Sequence, residues 1–288
     1  MALVAVLASS GCGSAGAGSS PSRSTVCPST SVASGSLPPG VTATTETCVV
    51  TPTVLSYPPH VALFGDSLSS EAEPYYFSLV RSTGRTAIDV YASYGGSAIC
   101  DWLTKMRSVA ATYRLNAVEL QFSGNALSAC MGGLQPPDPG YYDKYQADAA
   151  TAVGIFVARG VRVYLVGAPI TRAQQQGDPG WQALNQIYLQ LAAADPAHVT
   201  FVDAGTAVEL PGHTYTDTLP CLVVEPCTGR VVDGVRSNVV RSPDGVHFCP
   251  VARRGTSCPV YSSGAYRYAA AMAGALAVPV SAAPGVVP

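Results

Sequence analysis

The residues Val61-Ala-Leu-Phe64 form a short, wholly apolar run that ends at Gly65, the pattern of a strand buried on both faces. The polar pair Asp66-Ser67 follows, and a helix-like stretch comes next, around Tyr75 to Arg81. The same alternation recurs down the chain. Strands are expected at Ala87–Ala92, Ala117–Phe122, Val161–Val166 and Val199–Val202. Helices are expected at Asp101–Tyr113, where Trp102, Met106 and Val109 share one face, and at Tyr145–Arg159, Gly180–Ala194 and Tyr261–Leu276. Met131 to Tyr142 reads as a Pro/Gly loop, and Gly205 to Pro243 as a long irregular connection, functional or stapled. Five β–α alternations with apolar strands predict an α/β fold: a doubly wound, mostly parallel five-stranded sheet with helices on both faces.

Composition narrows the setting. With 288 residues, 48% of them hydrophobic, the chain can bury a large core. Only 12% of residues are charged and the net charge is −2, so no basic face for a nucleic-acid backbone is expected. Nine cysteines (12, 27, 48, 100, 130, 221, 227, 249 and 258) contain no Cys-x-x-Cys pair. The four histidines do not join them at zinc spacing. Disulfides in an oxidising compartment follow, and neither metal nor cofactor is implied.

The N-terminus agrees with export. Met1–Ala8 is apolar, and Ser9-Ser10-Gly11-Cys12 resembles the end of a lipoprotein signal, with Cys12 the residue to be lipidated, although it lacks a basic leader. Cleavage near Ala15-Gly16-Ala17 is the other route, and either one leaves eight cysteines to pair. Residues 1–17 are therefore read as an export signal and 18–58 as a flexible Ser/Thr/Pro/Gly-rich stalk. The folded domain is placed at 59–278 and a tail at 279–288. No run of 18 apolar residues occurs, so any membrane attachment would be by lipid alone.

The ends of the strands carry the chemistry. Ser67, on the turn after the first strand, is the candidate nucleophile. His247 has a carboxylate three residues before it, in Asp244-Gly245-Val246-His247, so Asp244 can hold its tautomer while the other ring nitrogen faces Ser67. Asp203 is a rival carboxylate with no local relation to His247. Asn125 offers a side-chain N–H, the Gly95-Gly96 turn a main-chain N–H, and Ser67 its own, which together make an oxyanion hole. Asp66 reads as a brace for the turn.

These blocks, in this order, resemble the SGNH (GDSL) hydrolase superfamily over the whole of the expected domain. Its Ser block is matched by Gly65-Asp66-Ser67-Leu68 and its Gly block by Gly95-Gly96-Ser97. Its Asn block is matched by Gly124-Asn125, without the usual following Asp, and its Asp-x-x-His block by Asp244–His247. Cys100 and Cys130, close after the Gly and Asn blocks, make the chain similar to exported actinobacterial members. The resemblance implies the flavodoxin-like SGNH fold, catalysis by Ser67, Asp244 and His247, and an oxyanion hole of Ser67, Asn125 and Gly95 or Gly96.

The expected function is thus an exported serine ester hydrolase acting on an acyl ester of a small molecule, lipid or acylated glycan. The alternatives are a cell-envelope O-acyltransferase with the same triad, or an inactive glycan- or lipid-binding lipoprotein. Pairing of nearest neighbours predicts Cys27–Cys48, Cys100–Cys130, Cys221–Cys227 and Cys249–Cys258. Cys100–Cys130 would tie the two loops that must meet at the oxyanion hole.

Overall fold

In the computed structural model, Val61 to Phe64 are wholly buried within strand β1 (His60–Gly65). The structure describes residues 24–26, 47–49, 54–177, 180–251 and 258–280. Helix α1 (Ser67–Ser82) follows β1 directly, then β2 (Ala87–Ser93), α2 (Ile99–Thr112), β3 (Ala117–Gln121) and α3 (Pro139–Val157). The chain continues through β4 (Arg162–Val166), the short α4 (Arg172–Gln175), α5 (Gly180–Ala194) and β5 (Val199–Val202). Three short strands come next, β6 (Thr218–Pro220), β7 (Val231–Val232) and β8 (Val235–Val239), and α6 (Ser263–Ala275) closes the domain.

Strands β1 to β5 form one sheet in the order β2-β1-β3-β4-β5, every neighbouring pair parallel. This is the flavodoxin-like order, whose topological switch point lies between β1 and β3. Successive side chains of a strand point to opposite faces. Ala62 and Phe64 therefore join Val118 and Leu120 in a core under α2, α3 and α5. Val61 and Leu63 face the other way, toward Leu68, Ala72 and Tyr76 of α1 and Tyr268 and Met272 of α6.

Three sequence expectations are corrected. Helix α1 begins at Ser67, not near Tyr75: Asp66 caps it by accepting a hydrogen bond from Leu68 N at 3.0 Å, and Pro74 lies inside it. Helix α3 begins inside the expected Pro/Gly loop, because Asp138 caps Gly140 N at 2.8 Å and Pro139 occupies the first helical turn, where its missing N–H costs nothing. The connection from Gly205 to Pro243 is not irregular. It holds a 3₁₀ turn (Ala204–Val208) and a three-stranded antiparallel sheet ordered β7-β8-β6. The tight β7–β8 hairpin turns on Asp233 (φ 49°) and Gly234 (φ 80°), the left-handed pair that such turns require.

Residues Met1–Ser56 and Val278–Pro288 make a second unit. Within it, Ser24–Val26 pairs antiparallel with Thr47–Val49, and Val54–Ser56 with Val278–Val280. The last pair takes in Pro279 and Val280, read from the sequence as the start of the tail. The export signal, Cys12 and the expected Cys27–Cys48 bridge lie outside the described residues. Among the described residues no helix is long and apolar enough to cross a membrane.

The central strand carries one ionisable group into the core. Glu119 is fully buried, and Tyr76 Oη donates to its Oε2. Burial pushes this carboxyl up to about 8. The folded protein therefore keeps a proton here that the unfolded chain releases above its ordinary value of 4.5. The resulting stability is present in full below that value and is lost as pH rises toward about 8. We expect the urea midpoint to fall between pH 5 and pH 8, and Glu119→Gln to flatten that slope. An unchanged slope in the variant would remove Glu119 from the account.

Candidate active site

Gly65 ends β1 where no larger residue fits: a Cβ there would lie 2.1 Å from Ser69 Oγ and 2.8 Å from Gln121 O. The chain turns at Asp66 and places Ser67 on the first turn of α1, where main-chain N–H groups have no partner within the helix. Ser67 is 7% exposed. Its Oγ lies 2.9 Å from His247 Nε2. His247 Nδ1 lies 2.7 Å from Asp244 Oδ2, while Asp244 Oδ1 accepts hydrogen bonds from Val246 N at 2.9 Å and His247 N at 3.0 Å. Partial burial would raise the Asp244 carboxyl, but these bonds from Val246 and His247 hold it below its ordinary value. Asp203, the rival carboxylate, lies 3.9 Å from His213 instead.

The turn Asp244–His247 depends on Gly245, whose φ of +75° is left-handed and on which a Cβ would lie 2.7 Å from Arg172 Cβ. Arg172 N donates to Gly245 O at 3.0 Å, and its guanidinium donates to Pro243 O and Asp217. Beneath the turn, Arg241 is buried between the rings of Tyr215 and Phe248 and donates to Ile170 O at 3.0 Å and Val246 O at 3.4 Å. Burial lowers Arg241 to about 10, which leaves it cationic at neutral pH.

Glu71 holds the other side of the same turn. It lies one helical turn after Ser67 and is buried, and its Oε2 accepts hydrogen bonds from Phe248 N at 2.6 Å and Cys249 N at 3.1 Å. The helix that carries Ser67 thus also grips the segment that carries His247. The sequence reading missed this residue, since nothing local to Glu71 relates it to a chain segment so far away. Arg241 was missed for the same reason.

The switch point assembles the remaining residues. Asp66 is fully buried, and its Oδ2 accepts from Ser123 N and Ser123 Oγ, both at 2.6 Å, and from Asn125 Nδ2 at 3.1 Å. Asn125 Nδ2 also donates to Ser97 O at 3.1 Å. Both hydrogens of the Asn125 amide are thus engaged within the protein. Ser97 is fully buried, and its Oγ donates to Gly65 O at 3.1 Å. Gly95 lies against Ser67, since a Cβ on it would meet Ser67 Cβ at 3.7 Å, whereas Gly96 (φ +81°) faces open space.

Three disulfides match the expected pairs: Cys100–Cys130, Cys221–Cys227 and Cys249–Cys258. The first joins α2 to the 3₁₀ turn Ala129–Met131 shortly after Asn125, and the last follows His247 directly. Among the described residues no group of three or more His, Cys, Asp or Glu side chains could hold a metal ion.

Comparison with known proteins bears on the fold. The lipase/acylhydrolase from Enterococcus faecalis superposes with a TM-score of 0.51 at 15% identity, covering 78% of this chain and 100% of that one. A GDSL-like lipase from Bacteroides thetaiotaomicron VPI-5482 gives a TM-score of 0.48 at 13% identity, covering 75% of this chain and 87% of that one. A carbohydrate acetylesterase from Sinorhizobium meliloti gives 0.43 at 14% identity, covering 76% and 98%. No curated protein matches the sequence. Residues 60–260 match the family described as a protein of unknown function, DUF459, over most of the chain. The protein belongs to the DUF459 family and has the fold of the SGNH/GDSL hydrolases.

Proposed function

We propose that the protein is an exported serine ester hydrolase that works through an acyl-enzyme. The observation that carries this reading is the unbroken relay from Asp244 through His247 to Ser67, at 2.7 and 2.9 Å. Ser67 Oγ attacks the acyl carbon of an ester while His247 Nε2 takes its proton. Asp244 keeps the other proton on Nδ1 and stabilises the imidazolium that forms. His247 then returns the proton to the departing alcohol. A water molecule repeats the sequence on the acyl-enzyme, releasing the acid and restoring Ser67.

Charge on the tetrahedral intermediate falls at the N-terminus of α1, where the Ser67 N–H and the helix dipole favour an anion. Ser67 N and Gly95 N supply two donors; the closer approach of Gly95 to the Ser67 side chain favours Gly95 over Gly96. Asn125 supplies the third by exchanging one of its two internal hydrogen bonds for the substrate oxygen. Its main-chain carbonyl is held meanwhile by Tyr145 Oη, which donates to Asn125 O at 3.0 Å. Three disulfides support an oxidising location, outside the cytoplasmic membrane.

Assayed with a short p-nitrophenyl ester, Ser67→Ala and His247→Ala should each lower kcat by about 10⁴-fold or more. Asn125→Ala should cost about a hundredfold. Full activity in Ser67→Ala would exclude this mechanism.

Glu71 acts as a positioning residue in this scheme, and it needs only an acceptor oxygen to do so. Glu71→Gln should therefore keep kcat within about threefold, whereas Glu71→Ala should lower it about 10- to 100-fold with KM nearly unchanged, as expected for a displaced base. Equal losses in the two variants would refute the role.

A further inference from the structure

Asn125 is held through a peptide group that a second side chain grips from behind. The Ser97–Ala98 peptide is planar, so its carbonyl and its N–H turn together. Ser97 O accepts one hydrogen of the Asn125 amide at 3.1 Å. Ala98 N, on the same plane, donates to Asp101 Oδ2 at 2.8 Å. The other oxygen of that carboxylate, Asp101 Oδ1, accepts from Ser128 Oγ at 2.7 Å. Ser128 stands three residues after Asn125 and directly precedes the 3₁₀ turn Ala129–Met131. One carboxylate thus spans the acceptor of the Asn125 amide and the segment that carries Asn125.

A carboxylate in the first turn of a helix ordinarily serves the helix N-terminus alone. That accounts for Oδ2, since Ala98 is the residue just before α2. It does not account for Oδ1, which leaves the helix for another loop. We infer that Asp101 is a positioning residue that sets the Asn125 amide for the substrate oxyanion. The inference rests on the oxyanion-hole role proposed above for Asn125. Through Ala98 N the carboxylate fixes the tilt of the Ser97–Ala98 plane, and its charge polarises that amide so that Ser97 O accepts more strongly. Through Ser128 it fixes the loop after β3. Its neighbours act in the same direction: Cys100 is bonded to Cys130, and Trp102 Nε1 donates to Ser97 Oγ at 3.0 Å. The disulfide holds the two segments together but leaves the peptide plane free to tilt. Asp101 removes that freedom.

Asp101→Ala should lower kcat about 10- to 30-fold with KM nearly unchanged, a smaller loss than that of Asn125→Ala. Asp101→Asn should stay within about threefold, because its amide oxygen can accept from Ala98 N while its NH₂ donates to Ser128 Oγ. Adding Asp101→Ala to Asn125→Ala should cost less than about twofold more, since the group it positions is gone. A carboxylate that merely stabilised α2 would give its full loss in both backgrounds. A second readout needs no activity: solvent exchange of the Asn125 side-chain amide, followed by NMR and assigned by its absence in Asn125→Ala. That exchange should be at least about tenfold faster in Asp101→Ala than in the parent or in Asp101→Asn. If Asp101→Ala does not fold, Ser128→Ala leaves the helix cap in place and takes both measurements in its stead, with a loss of about three- to tenfold in kcat. An inactive parent would count against the hydrolase reading alone, and the exchange rates would still decide this one. Additive losses of kcat, or unchanged Asn125 exchange in the folded variant, would overturn the proposal.

Discussion

The arrangement rests on a single buried carboxylate. Asp66 has no contact with water, and burial pushes its pKa above the ordinary value. Donors from Ser123, Leu68 and Gln121 pull in the other direction. A buried anion is tolerated only where such donors converge on it, and the places from which they come define the site. Leu68 N belongs to the helix that presents Ser67, and Ser123 and Asn125 belong to the loop after β3. One oxygen pair thus joins the two strand ends at the topological switch point, where an open parallel sheet leaves its crevice. Asn125 then passes the constraint to the Gly95 loop through Ser97 O.

The histidine side is held by a complementary device of opposite charge. Arg241 below the Asp244–His247 turn and Glu71 beside it are both buried, and each bonds to main-chain atoms of the segment from Val246 to Cys249. Main-chain bonding fixes the path of the turn whatever the state of the imidazole, so His247 can gain and lose a proton without the support being remade. The Cys249–Cys258 bridge begins where these bonds end. Preorganisation of this kind is where an enzyme gains most of its electrostatic effect.

Much of this was legible in the sequence, for physical reasons. Buried parallel strands are short apolar runs, so Val61–Phe64, Ala117–Phe122 and Val199–Val202 could be read to within a residue or so. The site residues stood out because each interrupts such a run at its carboxyl end. Helix starts were harder. Ser67-Leu-Ser-Ser-Glu71 has weak helical signal and Pro74 looks like a break, yet Asp66 and the tertiary bond from Ser69 N to Gln121 Oε1 initiate the helix eight residues before the expected position at Tyr75. Two signals were present and went unused: Asp138-Pro139 as a helix start, and Asp233-Gly234 as a hairpin turn. Glu71 and Arg241 were not legible at all, because their roles arise from contacts between distant segments.

The central claim is that these supports exist to activate Ser67. Treatment of the folded protein with a fluorophosphonate, followed by peptide mapping, tests it most directly. The account predicts one phosphonyl group per chain, on Ser67 Oγ with loss of fluoride, and no labelling of folded His247→Ala. A folded parent protein that resists the reagent, or that carries the label on another residue, would contradict it.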